Sequence, residues 1–202
     1  MNEHLTVAGR YSELQLDALR ELANVGSGTA STALSSMVGH PVDVSVPNAR
    51  VLPFAQAVQA AGPATAPVTA VSMPLGGEFP ATVLMLLSWD DERSVCRLLG
   101  VEAGTDVGRS AVGEVGNILG SCYVGALGTM TGLEFEPGPP RTDSDMLGAI
   151  VASALAAGTA GGDTALLVDS DLIVEAQSCS LSFILVPSEH GVDELLDRLG
   201  VG

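Results

Sequence analysis

Slid along itself by 93 residues, this 202-residue chain meets its own residues in one consistent register. Ala18 falls on Ala111, Glu21 on Glu114, Asn24 on Asn117, Ala33 on Ala126, Leu34 on Leu127, Met37 on Met130, Gly39 on Gly132 and Pro47 on Pro140. Leu19 over Val112 and Leu22 over Val115 keep apolar character in the same register. Two copies of one unit explain the pattern most economically. The division that follows is a single domain made of repeat one, about 12–105, and repeat two, about 106–202.

Each copy opens with helical periodicity. At about 100° per residue, Leu19, Ala23, Ala30, Ala33 and Met37 form one stripe of the first helix, with Leu22 and Leu34 at its margins. Val112, Leu119, Tyr123, Ala126 and Met130 form the matching stripe of the second. Gly39 and Gly132 follow where a helix ends in a left-handed residue, so both are expected C-terminal caps. Strand signals come next: Val42 to Val46 alternates with period two and stops at Pro47, and Ala66 to Leu75 and Pro80 to Leu87 flank a Gly76-Gly77 turn signal. The alanine-rich stretch from Ala55 to Thr65, broken by Gly62 and Pro63, is expected to be a connection. Ser88 begins a helix with acids in its first turn, running into Val95 to Leu99. In the second half a helix is expected over Asp145 to Ala157 and a loop over Gly158 to Asp163. Strands follow over Ala165 to Asp169, Leu172 to Ala176 and Cys179 to Val186, and a last helix over Val192 to Leu199. Duplicated helix-plus-sheet is an α+β pattern, two units related by a pseudo-two-fold axis with antiparallel strands.

Composition narrows the partners. With 24 acidic residues against eight arginines and no lysine, the formal net charge is -16. Such a surface repels phosphate backbones and anionic head groups, which argues against nucleic acid and membrane partners. The longest apolar run outside strand-like segments, Met146 to Gly158, falls short of the roughly 20 residues of a spanning helix, and the N-terminus shows no signal-peptide pattern. Cys96, Cys122 and Cys179 are odd in number and widely spaced, so a reducing cytoplasm fits and neither a disulfide framework nor a metal site is indicated. His4, His40 and His190 are isolated from one another.

The residues opposite the apolar stripes carry the chemistry. Asp17, Glu21 and Asn24 share the outward face of the first helix, with Gly28 below them; Ser110, Glu114, Asn117 and Ser121 take the matching places on the second. A solvated face is the ordinary fate of an acidic helical residue. Asparagine and glycine, however, are poor helix formers, and propensity alone would not place them in mid-helix twice. Glu-x-x-Asn recurring beside small residues, which leave room for an approaching surface, is the stronger sign of a site.

These residues resemble the signature of the CheC-type family (CheC, CheX and FliY) of chemotaxis phosphatases: Asp or Ser, three residues, Glu, two residues, Asn, then twenty-two residues and a proline. Asp17, Glu21, Asn24 and Pro47 match it, and so do Ser110, Glu114, Asn117 and Pro140. Two intact copies make CheC itself the nearest type. The resemblance implies dephosphorylation of the phospho-aspartate of a CheY-like receiver domain. That chemistry lacks only a water held in line, because the receiver itself brings Mg²⁺ and cationic charge; no cofactor is expected on this chain. An amide can orient that water without adding negative charge, which makes Asn24 and Asn117 the candidates. Glu21 and Glu114 are cast as carboxylates that pair with a receiver lysine and fix the docking register, with Asp17 and Ser110 supporting them. A CheD-type deamidase is a further partner implied by the family, and a non-catalytic adaptor for a receiver or for CheD is the alternative function. Duplication within one chain makes a monomer sufficient. A glycosidase-like glutamate pair lacks an aromatic platform, Cys122 has no neighbouring histidine, and Gly26-Ser27-Gly28 lies too late in its helix to cradle phosphate.

Overall fold

Ser12 starts the first helix, α1 (Glu13–Val38), with a reciprocal cap: its hydroxyl accepts from the Gln15 N–H at 3.3 Å while the Gln15 side chain accepts from the Ser12 N–H at 2.8 Å. The computed structural model describes residues 11–45, 48–156, 163–174, 177–187 and 191–202. Gly39 closes α1 at φ 75°, its N–H donating to the Ser35 carbonyl. The second long helix, α4 (Asp106–Thr131), begins on Thr105 and ends on Gly132 at φ 72°. Both glycines are the expected left-handed caps.

Between and after these helices the two halves repeat one order. The first continues as β1 (Asp43–Val44), β2 (Asn48–Pro53), α2 (Phe54–Ala61), β3 (Pro67–Gly77), β4 (Ala81–Ser88) and α3 (Trp89–Leu98). The second continues as β5 (Phe135–Pro137), β6 (Arg141–Met146), α5 (Leu147–Ala156), β7 (Thr164–Val174), β8 (Gln177–Pro187) and α6 (Gly191–Arg198). All strand pairings are antiparallel in one eight-stranded sheet, ordered β1-β7-β8-β4-β3-β5, with β2 also on β7 and β6 also on β3. The halves therefore exchange strands: β1 and β2 pair with β7 of the second, and β5 and β6 pair with β3 of the first.

Strand registers expose the internal symmetry. Pro67 faces Met146 as Thr164 faces Pro53, and Leu75 faces Ala81 as Leu172 faces Cys179. Met85 and Phe183, partners in the central β4–β8 ladder, are then counterparts of one another, so the pseudo-two-fold axis passes between them. The counterpart spacing is 93 residues through α1/α4 and β2/β6. It becomes 97 at Pro67/Thr164 and 98 at Ala81/Cys179, and reaches 100 at Leu99-Gly100-Val101/Leu199-Gly200-Val201, where both glycines have positive φ.

The sheet is covered on both faces. On one side α1, α3, α4 and α6 bury residues such as Val71, Met73, Val83, Met85, Val168 and Phe183; on the other, α2 and α5 bury Val68, Ala70, Leu84, Leu167 and Ile184. Central β4 is accordingly buried from Ala81 to Leu87 and apolar there except at Thr82, without the alternation of a half-exposed strand. α1 and α4 pack against each other at Gly26, where a Cβ would fall 2.4 Å from the Tyr123 ring. Ser27 and Tyr123 share a hydrogen bond of 2.8 Å beside that contact. Helix packing is thus the role of Gly26 and Ser27.

Several expectations need correction. Ala55 to Thr65 is mostly helix, α2, because Pro53 starts it and four alanines within it favour it; Gly62, at φ 146°, then ends it. The fifth helix starts at Leu147, not Asp145, since Asp145 and Met146 complete the ladder to β3. Gly76 and Gly77 belong to β3 rather than the turn, and β7 runs unbroken through Ser170 and Asp171. The first strand is only Asp43–Val44; Val46, Pro47, the 157–162 stretch, Ala176 and His190 lie outside the described residues, as does His4. The first stripe is turned toward Leu22, Gly26 and Leu34, leaving Met37 exposed and Ala33 half-buried, because α1 faces α4 as well as the sheet; Met130 on α4 is likewise half-buried.

Candidate functional site

The helix geometry that buries Leu19, Leu22, Ala23 and Gly26 turns Asp17, Glu21 and Asn24 outward, and all three are exposed. On α4 the burial of Val112, Val115, Gly116 and Leu119 does the same for Ser110 and Glu114, both exposed, while Asn117 is half-buried. Each triad thus occupies successive turns of its own helix. Among the described residues, Glu21, Asn24, Glu114 and Asn117 make no side-chain hydrogen bond or ion pair, so their polar groups are available to a partner.

The surroundings differ. Asp17 is engaged by Arg20, one turn on, at 2.5 Å, and Glu13 lies 3.9 Å from the same guanidinium. Both pairs are exposed and worth little energy, so a partner cation can compete for Asp17. Gly113 stands where Arg20 does in the first copy, and β6 closes over it: a Cβ there would lie 2.7 Å from the Thr142 hydroxyl. Gly28, by contrast, has nothing within 4 Å of where its Cβ would be. The first site is an open ridge and the second is flanked by a strand. Neither Arg20 nor Thr142 was marked as a site neighbour by the sequence. The 93-residue spacing, which sets Arg20 over Gly113 and Ala49 over Thr142, already held that difference.

Neither site is a cavity. Grooves of about 560 and 660 Å³ lie on the α2/α5 face of the sheet, lined by residues such as Ser72, Arg141 and Asp143 in one and Asp91, Asp169 and Ser182 in the other, with no motif residue in either. An exposed ridge of carboxylate and amide cannot enclose a small molecule; it suits a macromolecule that brings its own cleft. Among the described residues, no cluster of three or more His, Cys, Asp or Glu side chains is arranged to hold a metal, and no helix is long and apolar enough to cross a membrane. Cys96 and Cys179 are buried and Cys122 is half-buried, all three as free thiols. Burial pushes the Cys122 thiol above its ordinary range, which is the opposite of what a nucleophile needs.

Comparison with known proteins meets the same residues. The CheC-like family profile matches residues 14–49 and 107–142, the two motif helices and the strand segments that follow them. The "CheY-P phosphatase CheC" of Bacillus subtilis is 27% identical over 97% of this chain and 99% of its own length. Among solved structures, Thermotoga maritima FliY superposes with a TM-score of 0.73 at 16% identity, covering 94% of this chain and 98% of that one. CheX of Borrelia burgdorferi, in its complex with CheY, BeF3 and Mg²⁺, gives 0.51 at 16% identity, covering 82% and 97%. With its duplicated Glu-x-x-Asn helices and its strand-exchanged antiparallel sheet, the chain resembles the CheC-like family in both motif segments and, through the Bacillus subtilis relative, along its whole length.

Proposed function

We propose that this chain is a chemotaxis phosphatase that hydrolyses the phospho-aspartate of a CheY-like receiver domain, with Asn24 and Asn117 orienting the attacking water. The observation that carries it is the presentation of two equivalent Glu-x-x-Asn pairs on helix ridges, Glu21, Asn24 and Glu114 exposed and Asn117 half-buried, all four free of partners among the described residues. Full-length similarity to the Bacillus subtilis protein named a CheY-P phosphatase supports the substrate. A CheX of this fold, crystallised with CheY, BeF3 and Mg²⁺, supports the kind of partner.

The chemistry asks little of the phosphatase. Water oxygen attacks phosphorus, the bond from phosphorus to the aspartyl oxygen breaks, and the electron pair leaves with the carboxylate while the water protons pass to phosphate and solvent. The receiver supplies Mg²⁺ at the phosphoryl oxygens, so this chain contributes position and exclusion of competing geometries. An asparagine amide does so by accepting from the water through its oxygen. Glu21 and Glu114 hold the receiver through a cationic side chain, and Asp17 and Ser110 support that contact at the helix margin.

The test is phosphate release from receiver domains of the source genome, phosphorylated with acetyl phosphate and Mg²⁺. The wild-type chain is expected to shorten the phosphate lifetime of at least one of them, and the Asn24→Ala/Asn117→Ala double variant to lose more than nine-tenths of that effect. A folded double variant with wild-type release would overturn the mechanism. A wild-type chain that binds the phosphorylated receiver without shortening the lifetime would make it an adaptor.

A further inference from the structure

The spacing that aligns the two Glu-Asn pairs also aligns Leu14 with Val107, the second residues of α1 and α4. Of the other large apolar pairs at that spacing, Leu19 with Val112, Leu22 with Val115 and Leu34 with Leu127 are buried, and Met37, the more exposed of the Met37/Met130 pair, is 38% exposed. Leu14 and Val107 are 66% and 64% exposed. Seven residues advance a helix by about two turns, roughly 10 Å, and rotate it by only about 20°, so Leu14 stands in line with Glu21 and Val107 in line with Glu114. Four residues beyond each glutamate the line continues with Val25, 39% exposed, and Ile118, half-buried. Each glutamate is therefore bracketed along its ridge by two apolar side chains.

A single exposed leucine on a protein surface is ordinary. Two apolar side chains at equivalent positions, in line with the motif and more exposed than any other duplicated apolar pair on these helices, are not explained by folding. We infer that Leu14 and Val107, extended by Val25 and Ile118, are docking residues that seat in an apolar patch beside the cationic phosphorylation pocket of the receiver domain. This rests on the receiver as substrate, proposed above. Charge points to such a partner rather than to a second copy of this chain: at net charge -16, with Asp17 and Glu21 on the ridge, two copies would set like charges face to face. The apolar brackets add contact area that salt does not screen, and their shape selects among receivers that share the same charged pocket.

Leu14→Ala/Val107→Ala tests this, since both side chains are exposed and alanine is the better helix former. Against the receiver that the wild-type chain dephosphorylates fastest, KM is expected to rise about tenfold with kcat unchanged. Kd for the same receiver loaded with beryllofluoride and Mg²⁺ should rise equally, corresponding to about 1.4 kcal/mol. The Leu14→Met/Val107→Ile variant should bind as wild type. KM and Kd within twofold of wild type, in a preparation where Asn24→Ala/Asn117→Ala has lost turnover, would overturn the docking role and leave the phosphatase standing. Absence of phosphate release by the wild-type chain would remove the premise instead. A wild-type dimer in sedimentation that Leu14→Ala/Val107→Ala abolishes would assign the patch to a second copy and overturn the inference.

Discussion

The proposed mechanism divides the work of the four motif residues by chemistry, and single substitutions should separate it. Glu21→Ala or Glu114→Ala removes a proposed docking charge, so KM for the phosphorylated receiver should rise severalfold at that site; Asn24→Ala or Asn117→Ala should lower kcat with KM little changed. Equal effects of both kinds on KM alone would count against water orientation. Cys179 gives a second prediction, about stability. Burial, then the charges of Asp91 and Asp171, pushes its thiol up to about 12 from an ordinary 9.0. Between those values the folded chain keeps a proton that the unfolded chain has lost. Stability is therefore whole below about pH 9 and falls as pH rises toward 12, by at most about 1.4 kcal/mol per pH unit from this thiol. Cys96 and Cys122 shift in the same direction, so Cys179→Ala should shallow the alkaline slope of urea midpoints without flattening it.

Among the elements, the α1–α4 contact decides how the two ridges are presented. Tyr123 is its centre: fully buried, its ring packed at a 37° tilt with its centroid 4.6 Å from that of Phe183 on β8, and its hydroxyl hydrogen-bonded to Ser27 of α1 at 2.8 Å and to Ser170 of β7 at 3.3 Å. Because those contacts pin the ring, it cannot move aside for a methyl group at position 26. Gly26→Ala gains about 1 kcal/mol in helix propensity and loses more by overpacking, for a net loss of about 1–2 kcal/mol. A lowered urea midpoint with an unchanged slope is the expected result, and a stabilised variant would show that α1 and α4 slide freely over one another. Gly28 has nothing within 4 Å of where its Cβ would be, so Gly28→Ala should raise the midpoint, gaining about 1 kcal/mol of helix propensity that no overpacking offsets.

Across the whole molecule, strand exchange makes the halves interdependent although each carries a complete motif. Residues 1–105 alone would leave β3 without β5 and β6, β4 without β8, and β1 and β2 without β7. Such a fragment presents open ladders and the apolar flank of α1 that α4 covers. It should fail to give a monomer with a cooperative melt; a monomeric, cooperatively melting fragment in sedimentation and circular dichroism would contradict the exchanged topology. The same exchange holds the two ridges in a fixed relation through the Met85–Phe183 axis, so the sites differ by local surroundings, the Arg20–Asp17 pair in one and Thr142 over Gly113 in the other.

What could be read without coordinates was local in angle. Caps at Gly39 and Gly132, the outward placement of Glu21, Asn24 and Glu114, and the duplication itself follow from 3.6-residue periodicity and a fixed spacing, which need no knowledge of distant partners. The strand β6, Arg-Thr-Asp-Ser-Asp-Met, could not be read that way, because an exposed polar edge strand has no apolar alternation and exists only through its ladder to β3. The second half of the repeat was hidden for a related reason: connecting segments of different length let the spacing drift from 93 to 100, so Leu99-Gly100-Val101 and its counterpart at Leu199 fall out of register. Which halves exchange strands, and which apolar residues at the shared spacing stay in solvent, depend on contacts between residues far apart in the chain. Leu19 and Met37 lie at the same angle on one helix, and only the packing of α4 and the sheet beneath it buries the first and leaves the second exposed.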